Sequence, residues 1–189
     1  MDRPLILYLH GFCSSPVSLK SRQLGEYMGG RGVGDRFVCP LLSPVPDAAV
    51  ATASRLIEAA DGPVTLVGSS LGGHYAKHLA EKYGLKAVLI NPAAVHCLDA
   101  GEFIGEHANF HTGERFTFTA AHAAQLEAQV SKPTPSRYWL LSEAGDEVLD
   151  WRLATEFYVG CRQTVLPGGD HSFTRFPDFM PQILEFAGL

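Results

Sequence analysis

The sequence has few cysteines and no long apolar run, and both shortages restrict what the chain can be. Its 189 residues include four cysteines, Cys13, Cys39, Cys97 and Cys161, with no C-x-x-C pair among them. We therefore expect reduced thiols rather than a disulfide framework or a zinc site. No apolar stretch approaches the roughly 18 residues of a membrane span, and the N-terminus lacks the apolar core of a secretory signal. These absences predict a cytoplasmic protein without a membrane span.

Basic charge is also scarce. Fifteen Lys and Arg residues face twenty Asp and Glu residues, which leaves a formal net charge of −5. A nucleic-acid-binding domain usually presents a basic face, so we expect no nucleic-acid partner. With 46% hydrophobic residues, the chain is too apolar for intrinsic disorder. Its length suits a single domain over residues 1–189.

Short apolar runs alternate along the chain with segments of helical spacing. Several runs have no polar alternation, which is typical of strands buried on both faces of a sheet. Pairs such as Leu24 with Met28 and Tyr75 with Leu79 lie four residues apart and mark one face of a helix. This alternation predicts an α/β fold, with a mainly parallel sheet of about six strands and helices on both faces. The predicted strands are 5–9, 37–39, 64–67, 87–90, 138–141 and 164–166.

Residues 92–136 interrupt this alternation. The segment shows no strand-like run, and only 120–130 has the character of a helix. Connections of this length inside a domain are often lids or binding loops, so we interpret the segment as a lid-like insert, with a plain surface excursion as the alternative. Four of its phenylalanines could line an acyl pocket or could anchor the segment to the core, namely Phe103, Phe110, Phe116 and Phe118.

Ser70 stands at the centre of a G-x-S-x-G pattern, Gly68-Ser69-Ser70-Leu71-Gly72. The pattern alone is weak, but here a predicted strand precedes it and a predicted helix follows it. A nucleophile elbow requires this strand–turn–helix setting, because a sharp, strained turn exposes the serine hydroxyl. Ser70 is therefore the candidate nucleophile. A phosphate-binding loop fits less well, since the Lys-Ser/Thr ending of a P-loop is missing.

A serine hydroxyl needs a base to remove its proton and a further group to orient that base. His171 follows the last predicted strand, and Asp146 follows the strand before it. Parallel strands end at one edge of a sheet, so both side chains can approach Ser70 there. Asp150 is expected on the following helix, and Asp170 is too close in sequence to His171 to orient its ring. The chain order Ser70, Asp146, His171 is that of the α/β-hydrolase triad.

The loop of residues 10–16 follows the first predicted strand and is the candidate oxyanion loop. α/β Hydrolases stabilise the tetrahedral oxyanion with two backbone N–H groups, one of which belongs to the residue after the nucleophile. Here that residue is Leu71. Phe12 is the expected second donor, with Gly11 as the fallback. His10 is expected to brace the loop through hydrogen bonds.

These segments together resemble the small α/β-hydrolase esterases of the YqiA family. The matching stretches are residues 10–16, 68–73, 91–93, 145–150 and 169–173. The resemblance implies a compact α/β-hydrolase fold whose sheet begins at the oxyanion-loop strand. It also implies activity on carboxylic esters or acyl-CoA thioesters, with Ser70, Asp146 and His171 as the triad. Cys13 and Asp170 occupy positions where we expect asparagine in relatives.

The leading hypothesis is a serine hydrolase that cleaves a small-molecule ester, or an acyl-CoA thioester, through an acyl-enzyme intermediate. That chemistry requires neither a metal nor an organic cofactor. A non-catalytic small-molecule-binding protein on the same fold is the alternative, because a fold does not guarantee activity. Lys20 and Arg22 could meet a phosphate of coenzyme A, although exposed helix charges are the simpler interpretation.

Histidines in the insert suggest one further site. His107 and His111 lie four residues apart, with His96 and His122 nearby, and this spacing could place two imidazoles on one helix face as metal ligands. Gly105 and polar neighbours disfavour a helix there. Solvated surface histidines are the favoured interpretation, and we expect no metal site.

Overall fold

A parallel sheet forms the centre of the molecule in the computed structural model, which describes residues 3–96 and 99–189. Its strands are β1 (Leu5–Leu9), β2 (Phe37–Val38), β3 (Val64–Ser69), β4 (Lys86–Ile90), β7 (Tyr138–Glu143) and β8 (Arg162–Leu166). A separate antiparallel pair is formed by β5 (Gly105–Ala108) and β6 (Arg115–Phe118). The order across the main sheet is β2-β1-β3-β4-β7-β8, and every neighbouring pair is parallel. The predicted parallel sheet of about six strands is confirmed.

Helices cover both faces of the sheet. They are α1 (Leu19–Gly30), α2 (Pro46–Glu58), α3 (Leu71–Tyr83), α4 (Ala120–Ala128), α5 (Trp151–Phe157) and α6 (Met180–Ala187). Buried side chains of α1 and α6 share one core layer, and those of α2, α3, α4 and α5 share the other. Within residues 3–96 and 99–189, every helix is too short or too polar to cross a membrane.

The alternation of side chains along each strand explains the continuous apolar runs. In β1, Leu7 and Leu9 point into the core layer of α3, whereas Ile6 and Tyr8 point into the layer of α1 and α6. All five residues of β1 are buried. Each fully buried large apolar side chain stabilises the fold by about 1.5–3 kcal/mol, so a strand between two helix layers is apolar at every position.

Two strands continue further than their apolar runs predict. β3 extends to Ser69 and β7 to Glu143, and both of these polar residues are buried. Both extensions lie at the carboxyl edge of the sheet, where parallel strands of α/β folds present their loops. Polar groups are thus delivered directly to the edge at which Ser70 is found.

The insert contains a hairpin that the sequence analysis missed, so the expectation of no strand between residues 92 and 136 is wrong. In β5 and β6, charged and polar residues alternate with half-buried ones. Such strands bury one face only and leave no apolar run. The helix expected over 120–130 is present as α4, which begins with a capping box between Thr119 and His122.

Leu149 and Leu153 lie four residues apart, which would place both on one helix face, but α5 begins only at Trp151. Leu149 precedes the helix rather than sharing its face, and Asp150 is the N-cap, accepting a hydrogen bond from the Arg152 N–H at 3.0 Å. An aspartate at the N-cap satisfies an N–H group that the first turn leaves free. The Asp150 side chain is therefore engaged in capping α5. Leu149 lies outside the helix and lines the cavity beside Ser70.

Candidate active site

Ser70 lies in the turn between β3 and α3. Its backbone angles, φ 55° and ψ −123°, are unfavourable for a residue with a side chain, and its N–H donates to the Ile90 carbonyl at 3.0 Å. Glycines make the turn possible, because a Cβ on Gly68 would lie 2.3 Å from the Gly72 oxygen, and one on Gly72 only 2.0 Å from the Leu9 oxygen. The G-x-S-x-G pattern therefore reflects close packing of α3 against β1 and β3.

The structure brings Ser70, His171 and Asp146 into one hydrogen-bonded line. Ser70 Oγ lies 3.2 Å from His171 Nε2. On the other side of the ring, His171 Nδ1 lies 2.8 Å from Asp146 Oδ2 and 3.0 Å from Oδ1. Ser70 and His171 are separated by 101 positions in sequence, and Asp146 and His171 by 25. This arrangement allows the imidazole to accept the proton of the hydroxyl.

Asp146 is held as a carboxylate. Its side chain is only 2% exposed, and burial by itself would raise the pKa. Hydrogen bonds from the His171 ring and from the N–H groups of Leu149 and Val148 outweigh burial and hold the pKa of Asp146 below its usual value. A carboxylate at this position favours the tautomer in which Nδ1 carries the proton. The lone pair of Nε2 then faces Ser70 Oγ.

A buried polar network beneath His171 was not predicted. The Asn91 Nδ2 group donates to the carbonyl oxygens of Asp170 and His171, at 3.1 and 3.2 Å, and its Oδ1 accepts from the Glu143 N–H at 2.9 Å. The fully buried Glu143 carboxylate accepts from the Asp170 N–H and from Arg175 Nε, both at 2.7 Å. Asn91 and Glu143 therefore tie the ends of β4 and β7 to the histidine loop.

Sequence signals for this network were present but ambiguous. Asn91 directly follows a predicted strand, and Glu143 lies two residues beyond another. Neither position differs from an ordinary surface residue until the register of the sheet is known. Gly169 completes the fit, because a Cβ there would overlap the Glu143 carboxylate at 2.0 Å.

The loop after β1 lies against Ser70. A Cβ on Gly11 would lie 3.3 Å from the Ser70 Cβ, and Phe12 lines the same cavity as Ser70. Among the described residues, the N–H groups of Phe12 and Leu71 have no hydrogen-bond acceptor. Two free N–H groups beside a nucleophile could stabilise an oxyanion.

His10 braces this loop, in agreement with its expected hydrogen bonding. Its Nε2 accepts a hydrogen bond from the Leu42 N–H at 3.0 Å, and Nδ1 lies 3.0 Å from the Gly11 carbonyl. Burial lowers the pKa of His10, and the bond to Gly11 opposes that effect only in part. A neutral ring is required, because a protonated Nε2 could not accept from Leu42.

Backbone strain is concentrated around the site. Four residues other than glycine have positive φ, namely Cys13, Ser70, Asn91 and Phe173 among those described. Each lies in a loop at the carboxyl edge of the sheet, and each of the four loops contributes to the site or supports it. Such conformations cost roughly 1–3 kcal/mol each and persist only where surrounding packing enforces them.

Two depressions meet at Ser70. One is an apolar cavity of about 270 Å³, and its walls include Phe103, Phe118, Leu126 and Leu149. The other is a more polar groove of about 300 Å³ that runs past Ser70 toward the start of α1. A third cavity of about 320 Å³ lies beyond Phe12 and does not reach Ser70. The two depressions that share Ser70 offer separate places for the two halves of a substrate.

The phenylalanines of the insert divide between the two interpretations left open by the sequence. Phe103 and Phe118 line the apolar cavity and also pack edge-to-face against Phe12, at 5.9 and 5.5 Å between ring centroids. Phe116 contacts Phe12 from the side of the third cavity. Phe110 stands at the rim with 80% of its surface exposed. Lining and anchoring are thus combined in the same side chains.

The histidines of the insert are not placed on one helix face. His107 lies in β5, with Nε2 2.7 Å from the Phe103 carbonyl, and His122 belongs to the capping box of α4. His96 stacks on Phe157 at 3.7 Å. In the described part of the chain, no three metal-ligating side chains form a cluster. The helical arrangement considered for His107 and His111 is wrong, because the segment forms a hairpin.

A family model described as "Uncharacterised protein family (UPF0227)" matches residues 5–188. Similar solved structures include the alpha/beta hydrolase domain-containing protein 10 from mouse, with 21% identity and a TM-score of 0.71 over 98% of this chain and 90% of that one. Est1E from Butyrivibrio proteoclasticus has 15% identity and a TM-score of 0.72, with 100% of this chain and 90% of that chain covered.

A monoacylglycerol lipase from Paleococcus ferrophilus is also similar, with 14% identity and a TM-score of 0.70 over 98% of this chain and 94% of that one. Identities this low establish the fold and leave the activity open. The predicted α/β-hydrolase fold is confirmed by these similarities and by the parallel sheet.

Proposed function

The chain belongs to the uncharacterised protein family UPF0227, the YqiA family, and we propose that it is a serine hydrolase of carboxylic esters. The observation that carries the proposal is the line of hydrogen bonds from Ser70 Oγ through the His171 ring to Asp146. An elbow turn and two free N–H groups beside that line supply the other parts that acyl transfer requires.

In the first half of the proposed reaction, Ser70 Oγ attacks the acyl carbon while its proton passes to His171 Nε2. The carbonyl bond opens to an oxyanion, which the N–H groups of Phe12 and Leu71 stabilise. Each such donor is worth about 2.7–4 kcal/mol on the barrier. The intermediate then expels the alcohol, whose oxygen takes the proton from His171, and an acyl-enzyme remains.

In the second half, water replaces the alcohol. His171 removes a proton from the water as the oxygen attacks the acyl carbon, and the second tetrahedral intermediate expels the Ser70 oxygen. The proton on His171 returns to Ser70, which releases the acid and restores the site. Asp146 orients the ring and stabilises its charged form throughout. The triad, the two N–H groups and water account for every bond and proton in this cycle, so the proposal includes no cofactor.

The apolar cavity is the proposed acyl site. A cavity of about 150 Å³ is enough to hold benzene, so about 270 Å³ suits an acyl group of short to medium length or one with a single ring. Phe103, Phe118 and Leu126 would surround that group. Oxygen esters are the primary substrates in this proposal, and acyl-CoA thioesters of equal acyl length are the alternative to compare with them.

The proposal also assigns the enzyme to the cytoplasm. Cys13, Cys39 and Cys161, the cysteines within the described residues, are all free thiols. Thiols stay reduced in that compartment.

The test combines covalent labelling with kinetics. A fluorophosphonate should label the wild-type protein at Ser70, and nitrophenyl butyrate should be hydrolysed. We expect Ser70→Ala to lose the label and to lower kcat by about 10⁴-fold or more. Ser136→Ala, which changes an exposed serine away from the site, is the matched control and should behave like wild type.

Two outcomes would contradict the proposal. Hydrolysis that persists in Ser70→Ala would remove Ser70 from the reaction. Failure of the wild-type protein both to take the label and to hydrolyse graded esters and acyl-CoAs would favour a non-catalytic binding protein on this fold.

A further inference from the structure

The polar groove beside Ser70 contains a cation that the proposed triad does not use. Lys20 lies on the first turn of α1, and its side chain lines the groove together with Ser70, His171 and Ser172. Of the residues that the structure describes, no other lysine or arginine lines either of the two depressions that meet at Ser70. A positive charge therefore stands within the same cleft as the candidate nucleophile.

The Lys20 ammonium is only partly engaged by the protein. Its Nζ donates to the Ser172 carbonyl at 2.6 Å, which is its one hydrogen bond to the described residues. An ammonium group has three donors, so two remain for a ligand. Burial lowers the pKa of Lys20, and the negative charges of Asp170, Glu143 and Asp146 oppose that effect.

The carboxylates around Lys20 do not take up these donors. Asp146 is bound to the His171 ring, and Glu143 is bound to Arg175 and to the Asp170 N–H. Among the described residues, Lys20 forms no ion pair with Asp170 or with any other carboxylate. The ammonium is therefore partly desolvated without a paired anion, a state that an anionic ligand would relieve.

The start of α1 adds further donors to the groove. Ser18 occupies the N-cap position, but its side chain makes no capping bond, and its buried Oγ has no hydrogen-bond partner among the described residues. Ser18 and Leu19 line the groove next to Lys20. The N–H groups of a first helical turn favour a negative charge, so the helix and the ammonium act in the same direction.

We propose that this groove binds a carboxylate carried by the leaving alcohol of the substrate, with Lys20 as the residue that selects it. The inference rests on the proposed function, because it assigns the acyl group to the apolar cavity and the alcohol to the groove. His171 lines both depressions, so it can deliver its proton to a leaving oxygen that lies in the groove while the acyl group fills the apolar cavity.

A carboxylate matches the site better than the phosphates of coenzyme A. One ammonium balances one negative charge, whereas a phosphate monoester carries nearly two at neutral pH. The phosphates of an acyl-CoA are also separated from the thioester by a long pantetheine arm, while Lys20 shares the cleft with Ser70 itself. Arg22, on the same helix, is exposed and does not line the groove.

The test uses two butyrate esters that differ only in charge, 3-(butyryloxy)benzoate and 3-(butyryloxy)benzamide. For each enzyme, kcat/KM is measured on both esters and expressed as the ratio of charged to neutral substrate. We expect Lys20→Met to lower this ratio about tenfold or more, because a hydrogen bond to a charged group is lost. Lys20→Arg should keep most of the preference, and Lys20→Glu should reduce the ratio below that of Lys20→Met. Lys132→Met, an exposed lysine outside the groove, is the control and should leave the ratio unchanged.

The ratio of kcat/KM on the charged and the neutral ester distinguishes two possible roles of Lys20. One is selection of a charged substrate, and the other is support of the histidine loop. An equal loss of kcat/KM on both esters would mean that Lys20 acts only through the Ser172 carbonyl, and the inference would be overturned. A second outcome would also overturn the groove assignment. In it, wild type takes the fluorophosphonate label, and wild type and every variant hydrolyse the benzamide ester at least as well as the benzoate ester. The hydrolase proposal would then still stand. Absence of both labelling and hydrolysis would overturn the two together.

Discussion

At the carboxyl edge of the central sheet, polar side chains are buried and fixed, whereas the insert of residues 92–136 reaches the site with a hairpin that is exposed on one face. Among the described residues, the side chains of Asn91 and Glu143 at the edge take part in five hydrogen bonds. The hairpin contacts the loop of residues 10–16 through the Phe110 N–H and the Asn109 side chain, both at 2.7 Å. Its charged residues face solvent.

This difference suggests a division of tasks. The sheet edge holds Ser70, His171 and Asp146, the proposed triad, in place through backbone packing and buried hydrogen bonds, which tolerate little displacement. The insert supplies aromatic walls of the apolar cavity through Phe103 and Phe118. A change at the edge should therefore affect stability and kcat, and a change in the hairpin should affect substrate preference first.

The largest effect is expected where α3 crosses β1. Gly72→Ala would place a methyl group 2.0 Å from the Leu9 oxygen and 2.7 Å from the His10 oxygen. Both atoms belong to the backbone and cannot turn aside, so we expect the free energy of unfolding to fall by about 3 kcal/mol or more, with loss of activity. Urea denaturation, monitored by tryptophan fluorescence, would measure the change in the free energy of unfolding.

Gly29→Ala provides the matched control for that substitution. Gly29 lies near the end of α1, and nothing stands within 4 Å of its added methyl group. The free energy of unfolding of this variant should rise by up to about 1 kcal/mol, since alanine is a better helix former than glycine. Equal stability of the two variants would show that the contact between α3 and β1 is less tight than the distances imply.

Asparagines at the edge and in the hairpin offer a direct comparison. Asn91→Ala removes the bonds to the Asp170 and His171 carbonyls and leaves the Glu143 N–H unsatisfied. We expect a loss of about 3 kcal/mol in the free energy of unfolding and a fall of about 100-fold in kcat, because displacement of a catalytic group by 1 Å can cost that much.

Asn109→Ala is the partner variant. It removes the bond to the Ser14 carbonyl and the turn bonds to the His111 and Thr112 N–H groups. Since the turn is partly exposed, the free energy of unfolding should fall by only about 1 kcal/mol. We expect an altered preference for acyl length and a kcat close to that of wild type. A larger fall of kcat in Asn109→Ala than in Asn91→Ala would reverse the proposed division of tasks.

A smaller effect should appear where the insert is attached to α3. The buried Lys77 ammonium donates to the Gln129 carbonyl at 3.0 Å and to Ser131. Burial lowers the pKa of Lys77 to about 8, against an opposing effect from Glu81. In the unfolded chain a lysine titrates near 10.4, so between about pH 8 and 10.4 the unfolded state binds more protons and stability rises with pH.

Lys77→Met should remove this rise. We expect the free energy of unfolding of wild type to increase by about 1–2 kcal/mol relative to Lys77→Met between pH 7.5 and 10, as measured by urea denaturation. Lys82→Met, on the exposed side of the same helix, should show a constant difference from wild type. A constant difference for Lys77→Met as well would mean that the ammonium is stabilised in the fold as well as in water.

The sequence allowed the scaffold and the turn that holds Ser70 to be predicted because local patterns encode both. The apolar runs of β1 and β3 record burial on two faces, and Ser70 carries its elbow pattern within five residues. The structure places His171 and Asp146 at hydrogen-bonding distance from their partners, where strand order had suggested they would meet. Their roles in catalysis remain predictions for the variants above.

The hairpin and the buried network were missed for different physical reasons. Strands β5 and β6 bury one face against Phe12, so Glu106 and Arg115 interrupt any apolar run. The network depends on long-range register, since Asn91 meets residues about 80 positions away. Pattern reasoning within short windows does not contain that information.

The positive φ of Cys13 has a consequence for making a more durable variant. Ser70 is the proposed nucleophile, Asn91 suits a left-handed backbone, and Phe173 is fully buried, so these three positions offer little freedom. Cys13 has neither a partner thiol nor a place in the hydrogen-bonded line, and asparagine tolerates its φ of 54° better than cysteine does. The single substitution Cys13→Asn should therefore raise both the thermal stability of the protein and its resistance to oxidation.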